Sequence, residues 1–231
     1  MSIYTIEGNI GSGKSTLLEM LKKNNKIISI QEPVEIWREI KDDAGRDMIE
    51  KFYSNQEKYA FSFQMMAFIS RIHLLRKKLS ENSEGIFISE RSVYTDRHVF
   101  AKMLFDDKKI ESVNYEIYLK WFDEFVKDLP IKGIIYLKTT PTMCFERIKK
   151  RNRKGEENIS IEYINKCHVY HEEWIKNASK VLTLDGDKTT FTEYLTQINY
   201  FTCNHEWQDI SAFDVQNHYR EYQCKKCDLI R

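Results

Sequence analysis

The run Gly8-Asn9-Ile10-Gly11-Ser12-Gly13-Lys14-Ser15, continuing into Thr16, has the spacing G-x-x-x-x-G-K-[ST]. The chemistry this spacing serves is triphosphate binding. Glycines at 8, 11 and 13 admit backbone conformations closed to residues with a Cβ, so successive N–H groups can turn inward on phosphate oxygens at a helix N-terminus. Lys14 is then placed to reach the β- and γ-phosphates, and the Ser15 hydroxyl to ligate Mg²⁺. A short apolar strand, Ile3 to Ile6, precedes the run, and Leu17, Leu18 and Leu21 follow it as a helical stripe. The competing reading is a glycine-rich turn that binds nothing.

Other candidate residues come after the next apolar runs. Glu32 lies in Gln31-Glu32-Pro33, with Trp37 about one helical turn further on. A carboxylate there can accept a proton from a hydroxyl that attacks a γ-phosphate, or it can be an ordinary acid at a helix start. Ser89-Glu90-Arg91-Ser92 leads into Val93-Tyr94-Thr95-Asp96. Glu90 and Arg91 read as a rim acid–arginine pair or as a salt bridge capping a helix. From Arg147 to Lys154, six of eight residues are basic. That run is a solvated face, a nucleic-acid patch, or a lid whose arginines close over phosphates.

The elements that must carry these residues follow from periodicity. Runs short enough for buried strands occur at Ile3–Ile6, Lys26–Ile30, Gly85–Ser89, Ile131–Leu137 and Val181–Leu184, with helical patterns between them. This alternation predicts an α/β fold with a five-stranded parallel sheet covered on both faces, whose ligands gather at the strands' carboxyl ends. Arg46 to Ser80 reads as helical, and from Tyr59 to Leu75 apolar on nearly every side, which predicts burial all round or a subunit contact. Gln64 and Arg71, two turns apart on one face of it, point to a lined polar pocket. Asn114 to Leu129 predicts an amphipathic helix with Tyr118, Trp121, Phe122 and Phe125 in the core. Pro141 starts the helix that ends in the basic run.

With 36 Lys and Arg against 35 Asp and Glu, the net charge of +1 gives no overall field to recruit nucleic acid or a membrane surface. No signal segment or bilayer-spanning run is read, so a soluble, cytoplasmic protein without nucleic-acid or membrane partners is expected. Five cysteines, three of them clustered near the end, do not form a secreted disulfide pattern.

Together, Gly8 to Ser15, Glu32-Pro33-Val34 with Trp37, Phe63-Gln64, Glu90-Arg91-Ser92 and the cluster Arg147, Arg151, Arg153 resemble the deoxyribonucleoside kinases, in particular the deoxycytidine and deoxyguanosine kinase branch. The resemblance covers about residues 1 to 190. It implies the three-layer P-loop kinase fold, a homodimer, and transfer of the γ-phosphoryl of ATP or another nucleoside triphosphate to the 5′-hydroxyl of a deoxyribonucleoside. It implies Glu32 as general base, Trp37 as sugar-side aromatic, Tyr53 on the 3′-hydroxyl and Gln64 on the base edge. Glu90 falls near Mg²⁺ and the sugar, Arg91 beside the 5′-oxygen, and Phe100 against the nucleoside. Arg147, Arg151 and Arg153 fall in the lid with Glu156, where Gly155 and Glu157 leave the register open by one. Arg71 and Asp96 match a pair that implies deoxycytidine or a purine deoxyribonucleoside in preference to thymidine. The segment Asp185-Gly186-Asp187-Lys188 departs from the family's pattern and leaves the donor base open.

Residues 1–200 are thus read as the kinase domain and 201–231 as a tail outside that resemblance. The tail carries Cys203-x-His205 and Cys224-x-x-Cys227, the ligand inventory of a tetrahedral structural Zn²⁺ site. A segment of about thirty residues is too short to fold on its own core, and metals remedy this; an unstructured tail with free thiols is the alternative. Two rival functions share the loop: a nucleoside monophosphate kinase, against which Glu32 would repel an acceptor phosphate, and a zinc-tailed protein that only senses nucleotide.

Overall fold

The computed structural model describes residues 2–129, 131–188, 191–210, 222–227 and 229–230. The chain divides into two compact units, Met1–Thr189 and Thr190–Arg231. In the first, the five expected apolar runs are strands: β1 (Ser2–Glu7), β2 (Ile27–Ile30), β3 (Ile86–Glu90), β4 (Ile131–Lys138) and β5 (Val181–Asp185). They pair in the order β2-β3-β1-β4-β5, every pair parallel. Because all five point the same way, their carboxyl ends share one rim. The phosphate loop follows β1, Glu32 follows β2, and Glu90 ends β3 with Arg91 next, so three neighbouring strands deliver the charged candidates to one place.

The helices of this unit are α1 (Lys14–Leu21), α2 (Val34–Glu39), α3 (Met48–Ser54), α4 (Gln56–Glu81), α5 (Val93–Thr95), α6 (Lys102–Asp106), α7 (Ser112–Phe125), α8 (Pro141–Arg151) and α9 (Ile161–Lys176). A π-helical turn, Asp96–Ala101, joins α5 to α6. π turns inside helices recur at functional sites, and this one carries Asp96 and Phe100. No helix among the described residues is long and apolar enough to cross a membrane.

Three helical expectations are corrected. The segment from Arg46 is not one helix: Asn55, with extended-type dihedrals, ends α3 and caps α4 by accepting from the Lys58 N–H. An Asn side chain that can cap a new helix competes with continuation of the old one. Nor is α4 buried all round. Ala60, Gln64, Ala67, Phe68, Arg71 and Ile72 face inward, while Ser62, Ile69, His73 and Arg76 form an outer face. In α7, Tyr118 and Phe122 are core and pack on Phe68, but Trp121 and Phe125, on the flank of that face, are 44% and 36% exposed.

The second unit contains α10 (Phe191–Thr202) and an antiparallel pair, β6 (Trp207–Asp209) with β7 (Tyr222–Cys224). The stretch 211–221 of the expected tail lies outside the described residues.

Within the first unit, His171 on α9 is fully buried among Phe100 and Tyr136. Its Nδ1–H donates to the Cys167 carbonyl at 2.6 Å, and Nε2 has no partner among the described residues. Burial, with the charge of Arg91 second, pushes its pKa from 6.5 down to about 3. The unfolded chain therefore binds a proton below pH 6.5 that the native state excludes. The stability contribution is fully present above pH 6.5 and is lost as pH falls toward 3, at about 1.4 kcal/mol per pH unit well inside that window. His171→Phe is expected to flatten this acid limb, read from urea unfolding at pH 7.5, 6 and 5.

Candidate active site

The phosphate loop is shaped by what packs on it. Gly11 has φ +79°, and a Cβ there would stand 2.4 Å from the Cys144 carbonyl on α8, so glycine is required both by conformation and by the helix laid against it. Asn9 ties the loop to α9, donating from Nδ2 to the Ile164 carbonyl at 2.9 Å and accepting from the Ile10 N–H at 2.8 Å. Gly8, Asn9 and Ser12 form the loop's backbone, whereas Ile10, Gly11, Gly13, Lys14, Ser15 and Thr16 line a cavity of about 390 Å³. Lys14 Nζ donates to the Gly8 and Asn9 carbonyls at 3.0 and 2.6 Å. Burial, then the nearby charge of Arg91, lowers its pKa to about 7.

On the facing side of the cavity, one guanidinium organises the acids. Arg71 Nε donates to Asp96 at 2.9 Å, Nη2 to Glu32, and Nη1 to the Glu90 carbonyl at 3.3 Å. Arg91 approaches Glu32 from the other side at 3.5 Å. Burial would raise the pKa of Glu32, but Arg91, Arg71 and Lys14 override it and hold the carboxyl down at about 2. Asp96 is pushed up to about 6 by burial, against the pull of Arg71. The two carboxylates thus share a cation and stay ionised near neutrality. Beside them, Ser15 Oγ donates to Glu90 Oε1 at 2.6 Å, bringing a hydroxyl and a carboxylate together at the loop. Oxygen donors of this kind suit a hard divalent cation.

An aromatic box closes the rest. Trp37 donates from Nε1 to Ser70 Oγ at 2.8 Å and lies edge-on to Phe63, which stacks on Phe52. The Arg71 guanidinium sits 5.2 Å from the Trp37 ring centre, and Arg91 lies 4.9 Å from that of Phe100. Tyr53 meets Tyr163 edge to face at 6.1 Å. Two buried polar atoms of cavity-lining residues lack a partner among the described residues: Gln64 Oε1 and Arg91 Nε. Such atoms cost about 1–3 kcal/mol each when left unpaired.

The basic run is drawn in over the loop. Arg147 bridges the Ser12 carbonyl and the Gly186 carbonyl, both at 3.0 Å. Arg151 grips Glu156 Oε2 through Nε and Nη2 at 2.9 and 2.6 Å, and Arg153 pairs with Glu156 at 3.5 Å. Glu156 lines the cavity; Glu157 is exposed. Every residue expected at the nucleoside, namely Glu32, Trp37, Tyr53, Gln64, Arg71, Glu90, Arg91, Asp96, Phe100 and Glu156, therefore lines the same cavity as the loop and the three arginines. Four lining residues were not singled out from the sequence: Ile49, Phe52, Ala67 and Tyr163. The first three read as ordinary core stripe, and Tyr163 carries no spacing signal.

In the second unit, Cys203, His205, Cys224 and Cys227 converge, with their ligand atoms all within 4.8 Å of one another.

A family model described as deoxynucleoside kinase matches residues 4–203. A probable deoxycytidine kinase of fowlpox virus is 38% identical, over 79% of this chain and 78% of its own length. Deoxycytidine kinase of Homo sapiens is 32% identical over 89% and 85%, and the mitochondrial deoxyguanosine kinase of Xenopus laevis 30% over 80% and 77%. A phosphate loop, paired rim carboxylates and an arginine-bearing lid around one cavity thus coincide with similarity along most of the chain, and the chain belongs to the deoxynucleoside kinase family: it is a nucleoside kinase, a phosphotransferase.

Proposed function

We propose that the enzyme transfers the γ-phosphoryl of ATP, or another nucleoside triphosphate, to the 5′-hydroxyl of deoxycytidine or a purine deoxyribonucleoside in preference to thymidine. The observation that carries this reading is the orphaned Gln64 Oε1 with the Arg71–Asp96 pair beside it. Gln64 offers an acceptor and a donor to a base edge. Asp96 supplies an acceptor suited to an exocyclic amino group, which thymine lacks. The relatives named deoxycytidine and deoxyguanosine kinase point the same way.

In this mechanism the sugar lies between Trp37, Tyr53 and Phe100, with Tyr53 and Glu156 on the 3′-hydroxyl. The 5′-hydroxyl donates its proton to Glu32, whose low proton affinity in the free site reflects three surrounding cations. Arg91 donates from its free Nε to the 5′-oxygen and the incoming phosphoryl. Lys14 and the loop N–H groups hold the β- and γ-phosphates, and Arg147, Arg151 and Arg153 neutralise charge from the lid side. Ser15 and Glu90 would hold Mg²⁺, which supplies charge neutralisation between the phosphates. Against a monophosphate acceptor stands Glu32 itself, whose carboxylate repels a phosphate at that place.

For the tail, 201–231, we propose structural Zn²⁺ on Cys203, His205, Cys224 and Cys227. Tetrahedral zinc with thiolates at about 2.3 Å requires S···S separations of about 3.8 Å; Cys203 Sγ and Cys224 Sγ are 3.8 Å apart, and Cys227 Sγ lies 3.3 Å from His205 Nδ1. Backbone N–H groups of Glu206 and Lys226 donate to Cys224 Sγ at 3.4 Å, which favours its thiolate. Three thiolates and one imidazole leave no open position for a substrate, so the ion holds structure rather than reacting.

A homodimer is proposed through α7, whose residues Val113, Ile117, Trp121 and Phe125, four apart, expose one apolar stripe, with Ile69 of the neighbouring α4 also uncovered. α4 packs on α7 through Phe68 and Phe122.

A panel of the four common deoxyribonucleosides with ATP tests the activity: thymidine phosphorylated fastest overturns the base assignment. Glu32→Gln is expected to lower kcat by about 10²–10⁴ with ATP binding little changed, read by steady-state kinetics and calorimetry. Metal analysis of reduced protein is expected to give one zinc per chain, and chelation to expose the tail to protease; no zinc removes the metal assignment. Trp121→Glu is expected to convert a dimer to monomer in sedimentation.

A further inference from the structure

Glu7, the last residue of β1, sits directly before the phosphate loop and is fully buried. A carboxyl group without water must either pair with a cation or carry a proton. Its Oε2 accepts from the Thr95 hydroxyl, and no charged group among the described residues forms an ion pair with it. The hydroxyls of Ser92, Thr95 and Thr5 surround it, Thr5 lying two residues earlier on the same face of β1 and itself fully buried. The charged groups facing this pocket are Arg91 from the end of β3, Arg71 from α4 and Asp96 from the π turn. Arg71 and Asp96 are committed to each other at 2.9 Å, and Arg91 turns toward Glu32.

The segment that Glu7 touches needs holding. Arg91 has φ +61°, a left-handed conformation that a residue with a side chain adopts only where its surroundings enforce it. Its N–H donates to the Ile6 carbonyl at 3.0 Å, the residue next to Glu7. Ser92 then opens α5, receiving the Thr95 N–H on its hydroxyl and its carbonyl at 3.4 and 3.1 Å. Thr95 is thereby fixed at both ends, its amide by Ser92 and its hydroxyl by Glu7.

We propose that Glu7 is a positioning residue, acting as a neutral carboxylic acid that pins the Ser92–Thr95 turn to the end of β1. Arg91 precedes this turn and Asp96 follows it, so one buried acid sets the residue that meets the phosphoryl group and the residue that meets the base relative to the phosphate loop. Burial raises the proton affinity of Glu7, outweighing its hydroxyl neighbours and the charge of Arg91. A neutral group also leaves the arginines to the substrate and to Glu32, where a second full carboxylate would compete for them.

The catalytic consequence rests on the assignment of Arg91 given above. Glu7→Gln keeps the shape and lacks the charge, and is expected to retain kcat and its pH profile within about threefold. Glu7→Ala and Thr95→Val each remove the pin and are expected to lower kcat about 10–100-fold, the scale of a misplacement near 1 Å, with KM for ATP little changed. If Glu7→Ala does not fold, the contrast between Glu7→Gln and Thr95→Val decides. A Gln variant as impaired as Thr95→Val overturns the neutral-acid role, and an unimpaired Thr95→Val overturns the pin. Amide hydrogen exchange separates this from a failure of the Arg91 reading: exchange at 91–96 should quicken in Thr95→Val and not in Glu7→Gln. Arg91→Ala with full turnover would remove only the catalytic link.

Discussion

Buried charge is tolerated only beside its opposite, and in this site Arg71 is the opposite for two carboxylates at once. It binds Asp96 through Nε and Glu32 through Nη2, with its third arm on the Glu90 carbonyl. Removing a partner from such a buried group leaves an uncompensated charge that costs about 3–5 kcal/mol. The arrangement therefore locks α4, the end of β2 and the π turn after β3 into one register. In the proposed mechanism these carry the base-reading and proton-accepting residues, so the geometry of recognition and the geometry of chemistry are fixed by the same guanidinium.

The parallel sheet makes that convergence possible. A strand end is where a parallel sheet hands its chain to solvent or ligand, and with β2, β3 and β1 adjacent, three chain segments distant in sequence meet within a side chain's length. β1 and β3 run in register, pairing Ile6 with Glu90, so the loop after one strand and the acid–arginine pair of the other start from the same level. The Ser15–Glu90 hydrogen bond is a direct result. On the other flank, α8 presses on Gly11 and sends Arg147 across to Ser12, so the donor loop and the lid helix have one common contact surface.

What was legible in the sequence divides along physical lines. Lys14 and Ser15 belong to a contiguous motif, and Glu32, Glu90 and Arg91 follow apolar runs whose length marks them as strands, so position on the rim followed from local pattern. Arg71 followed with Gln64 from spacing on one helix face and Asp96 needed the family resemblance, but their link to Glu32 did not emerge, because it depends on how closely α4 lies over the sheet edge. The break at Asn55 was hidden because the cap is a local competition that periodicity does not register. Trp121 and Phe125 were assigned to the interior on hydrophobicity alone, whereas a helix face is buried only if something packs on it; of the two readings of the apolar α4, burial all round or a subunit contact, the exposed Ile69 removes the first. Phe52 and Tyr163 pack on core residues on one side and face the cavity on the other. Glu7 ends a strand that a sequence reading treats as scaffold; only its complete burial distinguishes it.

The two unpaired atoms in the cavity say more than the paired ones. Gln64 Oε1 and Arg91 Nε are both buried with no partner, although hydrogen-bond satisfaction is the rule inside proteins. Arg91 pairs with Glu32 through Nη1 at 3.5 Å and keeps Nε unused, while Gln64 keeps its acceptor unused among the described residues. Holding them there costs stability in the free protein and is recovered when a ligand offers a donor at one end and an acceptor at the other. A deoxyribonucleoside has that character, with a base edge and a 5′-oxygen separated by a rigid sugar. The cost paid in the free state is thus a form of preorganisation, and it explains why a kinase cavity retains unsatisfied polar atoms that selection for stability alone would have removed.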